Sequence, residues 1–137
     1  MSYDIKIAKY YIAEVEGHAG EGAKLFFLVA SFGISLLAYK AITLDTMRTA
    51  FALFPNNEIK MTEGAKRVGL KIDGPRTALI IKGDDKSGAL ADIFEKLSKA
   101  DINVRESSGI ADINGSYGVI LYLERDDCEK AAAILNI

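Results

Sequence analysis

Apolar residues recur along the chain with two periods, and the change from one to the other marks out the elements. Leu90, Ile93, Phe94 and Leu97 stand at i, i+3, i+4 and i+7, so residues 88–100 are expected to form an amphipathic helix with Ser87 as its N-cap. The short apolar run 77–82 ahead of it closes in Gly83-Asp84-Asp85, as a buried strand ending in a turn does. Next come the run 102–113, the pair Asn114-Gly115, and Tyr117, Val119, Leu121 and Leu123 alternating with Gly118, Ile120, Tyr122 and Glu124. Asn-Gly between two such runs signals a hairpin, because both residues tolerate positive φ. Cys128, Ala131, Ala132 and Leu135 then return at helical spacing, which makes Cys128 a small core residue rather than a nucleophile. The order is β-α-β-β-α.

A shift of 68 residues brings an earlier part of the chain onto this pattern, with Gly20 on Gly88, Ala23 on Ala91 and Phe26 on Phe94. Leu25 meets Ile93, Val29 meets Leu97, Ile34 meets Ile102, Leu53 meets Leu121 and Phe54 meets Tyr122. The first copy is therefore expected to carry strands near 10–15, 34–43 and 47–54, helices near 20–32 and 57–68, and a fourth strand at 70–73. In this register Ile137 falls on Gly69, and the second copy lacks a fourth strand of its own. Residues 2–7 alternate polar with apolar and offer the replacement, so an exchange of fourth strands between the copies is expected. A length of 137 residues alone suggests one domain. The repeat replaces that with two units, 1–69 and 70–137, the second completed by residues 2–7.

Composition narrows the function classes. Half the residues are hydrophobic and 26% are charged, a balance that fits a folded core. With 17 Lys and Arg against 19 Asp and Glu, no positive excess drives binding to nucleic acid or to an anionic membrane. One cysteine allows no internal disulfide and no thiolate metal site, and a reducing cytoplasmic setting is expected. Residues 1–6 lack the marks of a secretory signal. The apolar run 25–38 is shorter than the ~20 residues of a membrane span and is interrupted by Ser31, Gly33 and Ser35, so a buried helix followed by a strand is expected there.

Asp85-Lys86-Ser87-Gly88-Ala89-Leu90-Ala91, followed by Ile102-Asn103-Val104, resembles the opening of an ACT domain, in which an acidic or amide turn, Pro-Gly, an aliphatic helix and Gly-Ile-Asn follow one another. Ser87 stands where Pro is usual and Asp101 where Gly is usual; the first copy has Gly17-His18-Ala19-Gly20 and Gly33-Ile34-Ser35. The resemblance implies an α+β fold of two ferredoxin-like βαββαβ modules, antiparallel sheets with helices packed on one face. It also implies pairing side by side and the sensing of a small molecule, often an amino acid, between units. A helix N-terminus suits a carboxylate and Asp85 an ammonium group, while Asn103 falls on the family's strand-two Asn.

The expected ligand residues are Asp85, Lys86, Ser87, Gly88, Ala89, Leu90 and Asn103, with His18 and Gly20 in the first copy. Each has a plainer reading beside it. Gly88 and Gly20 serve turn geometry or ligand contact, Asp84 to Lys86 form a solvated turn or a site, Asn103 ties down a strand end or reaches a ligand, and His18 is an ordinary loop histidine. Tyr10, Tyr11 and Tyr39 are expected in core or interface.

No phosphate loop, nucleophile elbow or carboxylate pair appears, so a non-catalytic regulatory module binding an amino acid, without cofactor or metal, is the first expectation. The alternative is an interaction protein acting on a partner enzyme without ligand; a small enzyme ranks last. Gly17 and Ser35 in place of Asp85 and Asn103 put the stronger site in the second copy. Ala23, Phe26, Phe27 and Ala30 form a second apolar side on the first helix, and a homodimer is expected to cover it.

Overall fold

In the computed structural model, which describes residues 3–17, 19–84, 88–124 and 127–136, the elements are β1 (Tyr3–Glu16), α1 (Glu21–Ser31), β2 (Leu36–Thr43), β3 (Arg48–Pro55), α2 (Glu58–Val68), β4 (Asp73–Asp84), α3 (Ala89–Lys99), β5 (Val104–Ala111), β6 (Ser116–Leu123) and α4 (Asp127–Leu135). They form two compact units. The first unit is Lys9–Arg76; the second joins Met1–Ala8 to Thr77–Ile137. Strands β1 and β4 therefore each serve both, β1 changing unit after Ala8 and β4 after Arg76. Strand order is β2-β3-β1-β4 in the first unit and β1-β4-β6-β5 in the second. Both orders are that of an α+β, ferredoxin-like βαββαβ module with antiparallel neighbours.

Two separate cores follow from this division. In the first, Tyr11, Ala13, Phe51 and Leu53 of the sheet meet Leu25, Val29, Met61 and Ala65 of the helices. The second packs Leu79, Ile81, Val119 and Leu121 against Ile93, Leu97, Cys128, Ala131 and Leu135. Burial pushes the Cys128 thiol up, so it stays protonated among its apolar neighbours. Tyr3 and Ile5 pack on the second core, and Leu70 and Ile72 on the first.

Side chains fasten the strand segment 3–8 to its helix. The Tyr3 hydroxyl donates to the Asp92 carboxylate on α3, whose other partner is Lys96 at 3.2 Å, and the Lys96 ammonium lies 5.6 Å from the centre of the Tyr3 ring. Burial and the adjoining carboxylate raise the Tyr3 pKa, while the Tyr3 hydroxyl and Lys96 hold Asp92 below its ordinary value. In the first unit, Tyr11 donates to Glu58 at 2.9 Å. Where β4 begins, Gly74 has φ +146°, and a β-carbon there would lie 2.8 Å from the Tyr10 carbonyl oxygen; only glycine fits so close to β1.

Local departures from the expected pattern have local causes. The ladder begins at Asp73, so Leu70 and Ile72 reach the core from an irregular segment rather than from a strand over 70–73. The N-cap of α3 is Gly88 and not Ser87, because the chain turns through a left-handed φ of 88° at the glycine. In the β5–β6 hairpin only Gly115 is left-handed, at φ 87°. Asn114 instead donates its backbone N–H to the Asp112 side chain at 3.2 Å, and Asp112 N–H reaches the Ser116 carbonyl at 2.6 Å, in a longer turn.

Candidate functional site

The core stripe of α3 runs through Ala89, Ile93 and Leu97, about one residue away from the expected stripe. This rotation leaves Leu90 54% exposed beside the sheet rather than under it. Opposite it stands β5, at the end of the sheet and paired with β6, with Gly109 facing Val119 and Ala111 facing Tyr117 across the ladder. Residues that small cannot fill the space between helix and strand. A groove of about 620 Å³ results, walled by Gly88 to Ala91, floored by Tyr117 and Val119 and bordered by Gly109, Ile110 and Ala111.

Two properties of its lining bear on chemistry. Among the described residues, all of its side chains are uncharged, and most are aliphatic. At one wall, the N-cap of α3 is Gly88, which has no side chain to cap the first turn, and the first intrahelical bond, Asp92 N–H to Gly88 carbonyl at 2.9 Å, lies one residue beyond Ala91. The N–H groups of Ala89, Leu90 and Ala91 are thus those an α-helix leaves without an internal partner, and they carry its positive dipole end. A carboxylate matches that wall and an apolar group matches the floor. A β-carbon at Gly88 would meet nothing within 4 Å, so this glycine is required by its backbone angle and not by close packing.

Of the expected ligand residues, Gly88, Ala89 and Leu90 come together in the groove. Asp85, Lys86, Ser87 and His18 lie outside the described residues. Asn103 is exposed at the entry to β5, beyond the C-terminal end of α3, and does not line the groove. Gly20 belongs to the first unit, where it caps α1 with φ 110°. Sequence reasoning missed Ala91, Gly109, Ile110, Ala111, Tyr117, Gly118 and Val119. Glycines inside strands, here Gly109 and Gly118, were the available signal, since they mark places where a backbone is left bare.

The first unit treats the corresponding place differently. Phe51 stands where the second unit has Val119, and its ring tip lies 3.2 Å from where a β-carbon on Gly22 would be. Phe26 meets Phe51 edge-on at 5.5 Å and Tyr39 edge-on at 5.4 Å. Three rings occupy the space between α1 and β2.

Among the described residues, no group of three His, Cys, Asp or Glu side chains could hold a metal ion, and no helix is long and apolar enough to cross a membrane. The arrangement defines a class, two ferredoxin-like units, the second with a groove between its first helix and edge strand. No protein-family model matches the sequence, and neither does any curated protein. Solved structures do match in fold. A protein of Bacteroides thetaiotaomicron superposes with TM-score 0.81 at 18% identity over 96% of this chain and 88% of its own. For the ligand-free regulatory subunit of aspartate kinase from Thermus thermophilus the TM-score is 0.66 at 16% identity, over 97% of this chain and 93% of that one. The aspartate kinase of Clostridium acetobutylicum, described as an allosteric enzyme, gives 0.55 at 18% identity over 96% of this chain and 33% of that one. The chain shares its fold with these three structures.

Proposed function

We propose that this chain is a non-catalytic regulatory protein of two ACT-type modules that binds an amino acid and conveys its presence to a partner enzyme. The observation that carries the reading is the groove at the start of α3, which joins the N–H groups of the first helical turn to an apolar floor. Such a site suits the carboxylate and the side chain of an amino acid at once. Asp85, three residues before Gly88, is assigned the ammonium group, with Lys86 and Ser87 in the same turn. Asn103 sits at the far end of a helix of 11 residues, roughly 16 Å long at 1.5 Å per residue, so its contact with a ligand would come from a second copy. Likeness of fold to regulatory subunits of aspartate kinase supports a partner enzyme of that kind. A thermal-shift series against the proteinogenic amino acids tests the reading, because a ligand that binds only the native state must raise its melting temperature. No shift with any of them at millimolar concentration would sink it.

A second reading, an interaction protein that works through its surface alone, draws on Phe27. This residue is 78% exposed on α1, although Phe26 beside it is accounted for by Phe51 and Tyr39. Burying a phenylalanine is worth roughly 1.5–3 kcal/mol, and a homodimer would supply the cover. Phe27→Asp, at a position outside the groove, is then expected to shift the chain toward monomer in light scattering. A wild-type chain that is monomeric at micromolar concentration would refute the dimer.

A further inference from the structure

The two units carry one scaffold and two different fillings, and the contrast decides where a ligand goes and of what kind. The pairs Phe51–Ala41 and Val119–Gly109 hold the same ladder position in their units. In the first, the Phe51 ring closes against Gly22 and stacks edge-on with Phe26. In the second, Val119 ends short of the helix, and the volume left over is the groove.

Taking the proposed amino-acid site as given, we infer that each chain binds one amino acid, in the second unit only, and that Val119, Gly109 and Ala111 select an aliphatic side chain. The argument is one of desolvation. A lysine or aspartate side chain laid over Val119 and Tyr117 would give up water for a floor and rim, residues 109–111 and 117–119, that carry no charge, at a cost that its binding would have to recover elsewhere. A leucine, isoleucine, valine or methionine side chain gains from leaving water at the same place. In the first unit the aromatic rings already occupy the position such a side chain would take.

Calorimetric titration of the full chain with L-leucine, L-isoleucine, L-valine, L-methionine, L-lysine, L-threonine and L-aspartate tests this. One site per chain is expected, filled by one or more of the first four at least about tenfold more tightly than by the last three. Val119→Phe, which gives the second unit the first unit's filling, is expected to abolish binding. Because Val119 is buried, the exposed Ala111→Glu serves as the second variant; it puts a charge on the rim without entering the core and is expected to weaken binding at least about tenfold. Phe51→Val should leave the affinity of the second unit's site unchanged. Two sites per wild-type chain, tightest binding of lysine, threonine or aspartate, or full binding by Ala111→Glu would each overturn the inference while leaving the regulatory reading standing. Binding of no amino acid at all would remove that reading, and this inference with it.

Discussion

Where the unit Lys9–Arg76 carries Phe51 and Tyr39, the unit of Thr77–Ile137 with Met1–Ala8 carries Val119 and Ser107. Both units order their strands the same way, and both open their first helix from a left-handed glycine. What differs is the filling between helix and edge strand. Phe51 turns that space into core in one unit, and Val119 in its place leaves a groove in the other. A repeat therefore keeps its backbone and changes its surface through very few side chains. The unit that gives up packing at this place is the one with the groove.

The largest expected effect breaks the contrast on its packed side. Phe51→Ala removes a ring that is 8% exposed and touches Phe26, so the first unit should lose roughly 3–5 kcal/mol. Val119→Ala removes only two methyl groups beside an existing groove, and about 2 kcal/mol is expected at ~0.8 per buried methyl plus a small cavity. Urea unfolding followed by hydrogen exchange reads the two units apart. Equal losses would mean that the rings at Phe51 are no better packed than the groove at Val119, and the distinction between core and groove would fail.

A smaller effect sets the two tyrosine anchors side by side. Burial and the Glu58 carboxylate push the Tyr11 hydroxyl up to about 12, and burial with Asp92 raises Tyr3 as well. In both units the protonated phenol is the form that the fold favours. Each anchor is thus fully effective below the unfolded tyrosine value near 10, and its contribution is lost as pH rises through the folded value. For Tyr11 the window runs from about 10 to about 12. Stability measured from pH 9 to 11.5 should fall, and Tyr11→Phe should flatten the first unit's part of that fall. An unchanged slope in Tyr11→Phe would show that the hydrogen bond to Glu58 does not couple to folding.

Much of this architecture was legible in the sequence, and the misses have identifiable causes. Helices and strands came from period alone, since Ile93 with Leu97 and Leu25 with Val29 sit under their sheets as the spacing requires. The α+β fold class follows from that order of elements and is the one observed. Which of Leu90 and Ala89 turns inward was not legible, because both are apolar and the choice depends on how α3 rolls on the sheet. The groove escaped notice for a related reason. It is made of what Gly109, Ala111 and Val119 fail to fill, and small residues leave a weak imprint on periodicity. Phe51 looked like any strand residue until Gly22 was found opposite it.

The smallest expected effect concerns the corner that follows the first helix of each unit. In the first unit the residue there is Gly33, with φ 78°; in the second it is Asp101, with φ 57°, the one non-glycine among the described residues in the left-handed region. A β-carbon in that region crowds the following carbonyl, at about 1–2 kcal/mol for most residues and less for Asp, whose short polar side chain can bond locally. The corner is nevertheless held. Asp101 N–H bonds the Ser98 carbonyl at 3.0 Å, and Ile102 N–H bonds the Leu97 carbonyl at 2.9 Å, which closes α3 and delivers Ile102 to the core. Asp101→Gly keeps both bonds, relieves the crowding and makes the corner like that of the first unit. Part of the gain is returned, because glycine also loosens the unfolded chain. A net stabilisation of about 0.5 kcal/mol is expected in urea unfolding, confined to the second unit's amides in hydrogen exchange. A loss of stability in Asp101→Gly would mean that the aspartate side chain holds the corner by a contact of its own, and that the two corners differ in how they are held as well as in sequence.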